Sequence, residues 1–239
     1  PPGVQAAVTT RLGGVSQPPF GPFNPASHVG DDPAAVAANR ALLRALLPAE
    51  PLWLEQVHGV DVADADIART ACADASVSHQ PGSVCAVMTA DCLPVLFCNR
   101  QGTVVAAAHA GWRGLAAGVL SRTVESMGCP ASDILAWLGP AIGPDAFEVG
   151  PEVKDLFVAR LARAEDAFRP GMGDRLFADL YRLARLELAQ AGVQAVFGGG
   201  LCTVGQAGLF HSFRRDGRTG RMASLIWRTA NPSMSPDQG

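Results

Sequence analysis

The chain has 239 residues, 48% of them hydrophobic and 17% charged, with a formal net charge of −3, a balance that excludes disorder, collagen and coiled coil. At roughly 150 residues per domain this length gives one large domain or two small ones, and folding buries about 70% of the surface, so a core needs no disulfides. A slightly acidic chain offers no general field to nucleic acid or to an anionic membrane, and neither is expected as a partner.

Val4 to Thr9 predicts a short strand, followed by a loop from Gly13 to Gly30 rich in Gly, Pro and Ser. Pro33 to Leu47 is Ala/Leu-rich behind Asp31 or Asp32, which predicts a capped helix. Leu52 to His58 is expected to be a strand. Val84 to Thr89 is an apolar run that stops at Ala90-Asp91-Cys92 and resumes from Pro94 to Phe97, and Thr103 to His109 is a further buried strand. Gly111-Trp112-Arg113-Gly114 then turns the chain into a helix from about Leu115 to Met127, with Gly128 at its end.

Ile134 to Leu138 predicts a strand, Glu152 to Ala167 and Asp174 to Ala191 predict helices, and Val193 to Phe197, Leu209 to Arg214 and Met222 to Trp227 complete the strands. Central strands apolar on both faces, interrupted by helices, point to a mixed α/β (α+β) single domain over 1–239: a layered sandwich of mixed sheets covered by helices. The stretch Val84 to Cys98 is broken by Thr89, Asp91 and Pro94, well short of the roughly 20 apolar residues of a membrane helix. Pro1-Pro2-Gly3-Val4 has no basic or apolar signal region, so a cytoplasmic protein is expected. Cys72, Cys85, Cys92, Cys98, Cys129 and Cys202 include no C-x-x-C pair and are expected to be reduced.

Three strand ends or turns present ligand-type side chains: His58 in Gln56-Val57-His58-Gly59, Cys92 in Thr89-Ala90-Asp91-Cys92, and His109 in His109-Ala110-Gly111-Trp112. Two imidazoles and a thiolate suit Zn²⁺, with Cu²⁺ as the alternative, and three protein ligands leave a fourth position open. The same residues also suit a Cys–His nucleophile pair, and their spacing matches no local metal motif. Gly111 and Gly114 allow close backbone approach at a helix start beside Arg113, an arrangement suited to phosphate; a tight turn with a solvated Arg fits equally. The run from Phe210 to Arg221, with four arginines, reads first as a solvated hairpin around Asp216-Gly217 and Thr219-Gly220; if the strand continues that far, alternation puts Arg215 opposite Arg214, so at most half the cluster faces any one site.

The segments Thr10-Arg11-Leu12-Gly13-Gly14, Asn24 with His28-Val29-Gly30-Asp31-Asp32, Gln56-Val57-His58-Gly59, Ala73-Asp74-Ala75, Thr89-Ala90-Asp91-Cys92-Leu93-Pro94, His109-Ala110-Gly111-Trp112-Arg113-Gly114, Leu138-Gly139-Pro140 and Phe213-Arg214-Arg215-Asp216-Gly217 closely resemble the YfiH/laccase-domain family. This family is regarded as purine nucleoside phosphorylases, formerly called polyphenol oxidases. The resemblance implies a catalytic zinc on His58, Cys92 and His109. It also implies purine nucleosides and phosphate as substrates (adenosine, inosine, guanosine and methylthioadenosine), adenosine deamination, and no obligate protein partner. Asp91 is the candidate proton carrier, and Arg11, Asn24, Arg113 and Arg214 are the candidate substrate or phosphate residues. One departure is Asn24-Pro25-Ala26, where the family has Asn-Leu-Ala or Asn-Leu-Ser, and Pro25 fixes φ and removes a donor.

Other readings remain at this stage: a cysteine or zinc hydrolase in peptidoglycan precursor quality control, a polyphenol-oxidase-type copper protein, and a non-catalytic metal-binding protein. A complete multicopper centre takes about ten histidines. The chain has 5, so that centre does not fit within it.

Overall fold

The computed structural model describes residues 1–68 and 70–229. Its strands are β1 (Val4–Val8), β2 (Leu54–Glu55), β3 (Val62–Asp64), β4 (Ala71–Cys72), β5 (Ala75–Ser78), β6 (Val84–Thr89), β7 (Leu93–Asn99), β8 (Val105–Ala110), β9 (Ile134–Leu138), β10 (Glu148–Val149), β11 (Phe168–Pro170), β12 (Leu176–Ala178), β13 (Ala195–Gly198) and β14 (Met222–Arg228). The α-helices are α1 (Pro33–Arg44), α2 (Trp112–Ala117), α3 (Val119–Ser126), α4 (Pro151–Val158), α5 (Leu180–Gln190) and the short α6 (Phe213–Asp216).

Four layers result. A six-stranded mixed sheet in the order β13-β9-β7-β8-β5-β3 lies at the centre. Leu93, Val95 and Phe97 of β7 pack against the helices that cover one face, in a core shared with Leu115, Leu120, Leu180 and Leu183. The alternate residues Leu96 and Cys98 face the antiparallel sheet β1-β14-β6, where they meet Cys85, Val87 and Ile226. Val84 and Ala86, one residue out of step, turn to Leu43 and Leu47 at the α1 end of the chain. Period-two alternation therefore explains why the runs from 84 to 110 are apolar on both faces: each face is covered. The mixed α+β sandwich expected from the sequence is the observed architecture.

Several local expectations need correction. Leu209 to Arg214 is not a strand: the segment turns, with Ser212 capping α6 through the Arg215 N–H. The helix expected from Glu152 to Ala167 stops at Val158, and Arg160 crosses to Glu187 and to the Leu115 and Ala116 carbonyls. Leu176–Ala178 is strand, and α5 starts only after Asp179, whose side chain accepts from the Arg182 N–H. The strand expected over Leu52 to His58 shrinks to Leu54–Glu55. The helix expected from Leu115 begins at Trp112 and breaks at Gly118, where φ is 105° and an added Cβ would press on the Arg160 guanidinium. Asp32, not Asp31, caps α1 by accepting from the Ala34 N–H.

Strands β3, β4, β5 and β10 carry no apolar run long enough to mark them. No helix among the described residues is long and apolar enough to cross a membrane. Because strands β7 and β8 contribute to the cores on both of their faces, and β6 and β14 likewise, limited proteolysis is expected to give no pair of separately stable halves. Two folded fragments persisting after a single cut would show two domains instead.

Candidate active site

Sheet register brings the sequence-distant ligands together. Pro94 pairs with His109 across β7 and β8, which puts Cys92, just before β7, beside the last turn of β8. Ala75 pairs with Ala108, so Asp74, just before β5, reaches His109 from the other side, and the His109 N–H donates to the Asp74 carbonyl. His58 and Asp91 adopt φ of 61° and 93°. This left-handed region is uncommon for residues other than Gly and is entered most readily by Asn, Asp and His. Those two bends aim His58 and Cys92 into one space.

The ligand atoms of His58, Cys92 and His109 lie within 4.8 Å of one another, so a small closing of the side chains brings all three to the roughly 2.0–2.3 Å at which they would hold one ion. His58 Nε2 is 3.7 Å from Cys92 Sγ, and the two imidazoles meet edge to face with centroids 4.8 Å apart. The other five cysteines lie outside this group, and Cys85 and Cys98 are buried as expected of small apolar residues.

Asp74 organises the cluster. Its carboxylate is fully buried and accepts from the N–H groups of Val57, His58 and Gly59 at 3.2, 2.9 and 2.6 Å, and from His109 Nδ1 at 2.8 Å. Burial works to raise its pKa, but the His109 and Gly59 hydrogen bonds outweigh that and hold the carboxyl below its ordinary range. With Nδ1–H committed to Asp74, His109 presents Nε2 as a ligand, the tautomer that carboxylate–histidine–metal pairs fix. Burial opposes ionisation of the Cys92–His109 pair too, yet the mutual attraction prevails: the thiol is held below its usual pKa and the imidazole above. The sulfur is therefore poised as thiolate, the form that binds a metal.

The local backbone fits an ion as well. A Cβ on Gly111 would lie 2.5 Å from His58 Cδ2 and 3.1 Å from Cys92 Sγ, so glycine there keeps the space between the ligands open. Two imidazoles, one thiolate and a carboxylate behind one imidazole form a donor set suited to a borderline-soft divalent ion. Gly114 serves a second close approach, since its Cβ would lie 2.8 Å from the Gly59 carbonyl.

A cavity of about 490 Å³ opens over the cluster, with Trp112, Ile142, Phe147, Leu180 and Phe213 as apolar walls. Arg113 and Arg214 line it as well. Arg113 is exposed at the mouth, its guanidinium 4.3 Å over the Trp112 ring. Arg214 donates to the Ala146 and Glu148 carbonyls and lies 5.5 Å over Phe147, whereas Arg215 turns away to Thr203, Val204 and Phe210. Two of the four C-terminal arginines, Arg214 and Arg221, line the cavity; Arg214 and Arg215 diverge because they are neighbours on the short helix α6, not because a strand alternates there.

Arg11 and Asn24, expected at the substrate, stand elsewhere. Arg11 lines a separate cavity between Gly14 and Pro22 and donates to the Ala207 carbonyl. Asn24 is fully buried and spent: its amide donates to Ala26 O and Asp31 Oδ2, and its oxygen accepts from the Ala26 and Arg221 N–H groups. Asp91 lines the cavity, but its oxygens accept from the Thr203 hydroxyl and the Arg214 N–H, so the carboxylate anchors the segment that carries Arg214. Sequence reasoning assigned no role to Asp74, Thr89 or Arg221. For Asp74 the signal was there: a carboxylate flanked by alanines ahead of a buried strand.

These features define a class: mixed α+β proteins whose strand ends present a His₂Cys set at the floor of one cavity. The family model described as multi-copper polyphenol oxidoreductase laccase matches residues 5–229. A Pseudomonas aeruginosa relative named purine nucleoside phosphorylase is 60% identical, with 94% of this chain and 93% of the relative covered. The Escherichia coli purine nucleoside phosphorylase YfiH is 57% identical, with 95% of each covered. Among solved structures, a Neisseria meningitidis protein of the DUF152 family superposes with a TM-score of 0.92 at 51% identity over 96% of both chains. The chain belongs to the YfiH (DUF152) family of laccase-like proteins.

Proposed function

We propose that the protein is a zinc-dependent purine nucleoside phosphorylase, acting on adenosine, inosine, guanosine and methylthioadenosine, that also deaminates adenosine. The observation that carries this reading is the convergence of His58, Cys92 and His109 beneath a cavity large enough for a nucleoside, in a chain whose relatives are named for that activity. A divalent ion held by these three residues supplies Lewis acidity and lowers the pKa of bound water. Copper is disfavoured for a multicopper reaction because the other histidines, His28, His79 and His211, lie outside the cluster.

The chain's own contribution is positioning. Phe213, 60% exposed, offers the most open ring on which a purine would stack, while Trp112 and Phe147, each with an arginine over one face, complete the apolar wall. Gln56 is not free to read the base, since its amide is paired at both ends with the Met88 backbone. In phosphorolysis a phosphate oxygen forms the bond to C1′ of the ribose while the C1′–N9 bond breaks. The electron pair stays on the purine, which takes up a proton, and ribose 1-phosphate leaves. In deamination water adds at C6 and ammonia departs.

Incubating the protein with adenosine tests both reactions. With phosphate present, adenine and ribose 1-phosphate are expected; without it, inosine and ammonia. A zinc-loaded, folded sample that forms none of these products overturns the reading.

A further inference from the structure

The three arginines that line the cavity are spent differently. Arg113 is exposed at the mouth, and Arg214 gives both terminal nitrogens to backbone carbonyls. Arg221 gives Nη1 to the Thr219 and Gly220 carbonyls, while its Nε and Nη2 hydrogens have no partner among the described residues. No carboxylate forms an ion pair with it there either. Burial works against its charge, and the nearby Cys92 and Asp91 offset this only in part. A half-buried guanidinium with idle donors is costly unless an anion completes it.

A second observation points to the same place. Thr89 is 2% exposed and lines the cavity, yet its hydroxyl has no hydrogen-bond partner. Buried hydroxyls are nearly always paired, so an orphan on a residue of the cavity wall points to a ligand atom that would complete it. The antiparallel register pairs Thr89 with Met222, the residue after Arg221, so both groups leave the same end of the β6–β14 pair. Asn24 holds the Arg221 N–H and so fixes where that side chain starts. At the rim His28 also lines the cavity; burial lowers its pKa first, and the Arg221 and Arg40 charges add to that.

We infer that Arg221 and Thr89, with His28 at the rim, form a subsite for a tetrahedral oxyanion. In the phosphorylase reading, on which this assignment rests, that anion is the inorganic phosphate whose oxygen bonds C1′ as the C1′–N9 electron pair passes to the purine. The guanidinium edge offers two parallel donors and the hydroxyl a third, a match to the face of a phosphate.

The test is calorimetric titration of the metal-loaded full chain with inorganic phosphate, alongside KM values for phosphate and for inosine. Arg221→Gln is expected to weaken phosphate binding by about tenfold or more, and Thr89→Val by about threefold, with inosine KM within about twofold and bound metal unchanged. Arg221→Lys should restore part of the loss, because it returns the charge without the fork. Thr89→Val removes a hydroxyl that no protein group needs, so it should fold at least as stably as the parent and carries the test if Arg221→Gln does not fold.

Phosphate affinity unchanged in the folded variants, or phosphate and inosine KM rising together, would overturn the assignment. Failure of phosphate to bind the parent overturns it whatever reaction the enzyme runs. Phosphate binding that depends on Arg221 and Thr89, without any ribose 1-phosphate formed, supports the subsite and removes the phosphorylase reading instead. A nucleoside 5′-monophosphate that binds through Arg221 while free phosphate does not compete would assign the anion to the nucleotide and overturn the inorganic source.

Discussion

Cys92→Ala is expected to yield a folded protein that holds no stoichiometric metal and has lost both phosphorolysis and deamination. Cys92 sits in the bend between β6 and β7, at the end of the sheet, so its loss leaves the layered core intact. Its thiolate is the one anionic donor among the three ligands, and two imidazoles alone make a weak site. Both reactions should fall by about 4 kcal/mol of transition-state stabilisation or more, roughly a thousandfold. Metal analysis and thermal unfolding on the same preparation check this. A variant that keeps one metal per chain but loses activity would favour Cys92 as nucleophile instead, and one that keeps both would remove it from the site.

Asp74→Asn is the change with the widest reach, because one carboxylate holds three backbone N–H groups and His109 together. Asparagine retains one acceptor oxygen but turns an NH₂ toward N–H donors, leaving at least one buried donor unpaired. Metal affinity should fall about ten- to a hundredfold, as when a carboxylate behind a ligating histidine is lost. Stability should fall by about 3 kcal/mol, from the broken buried pair.

The pH dependence separates this from a simple packing defect. The folded pKa of Asp74 lies below its ordinary 3.8, so its contribution is complete above that value and is lost as pH falls through the folded one. The variant should therefore show a shallower decline in stability at acid pH than the parent. Equal slopes, measured by denaturant unfolding across that range, would show that Asp74 is not ionised in the fold.

What could be read from the sequence follows from what is local. The strands at Val84–Thr89 and Ile134–Leu138 announced themselves as apolar runs, the first covered on both faces and the second buried at alternate residues, and His58, Cys92 and His109 stood out as ligand types at strand ends. Their convergence depends on the β7–β8 register and on two left-handed bends, and neither leaves a mark in residue spacing. Asn24 and Arg11 carried the right chemistry but were placed by the loops around them, which commit one to Asp31 and Arg221 and the other to Ala207. Thr89 and Arg221 meet only through the pairing of β6 with β14, more than half the chain apart. The helix over 152–167 failed because Arg160 is drawn to Glu187, a partner that no local window contains.

The order β1-β14-β6 also bears on biosynthesis. The strand between the two others is the last to be made, so Val4–Val8 and Val84–Thr89 have no neighbour in that sheet until residues 222–228 have left the ribosome. Until then two apolar strand edges stay open, a hazard for edge-to-edge association that grows with the time translation takes. The same late strand delivers Arg221 and closes Thr89 into the cavity. A nascent chain can therefore bring together its His and Cys cluster before it can complete the cavity above it, and any pause late in translation prolongs an intermediate that exposes sheet edges.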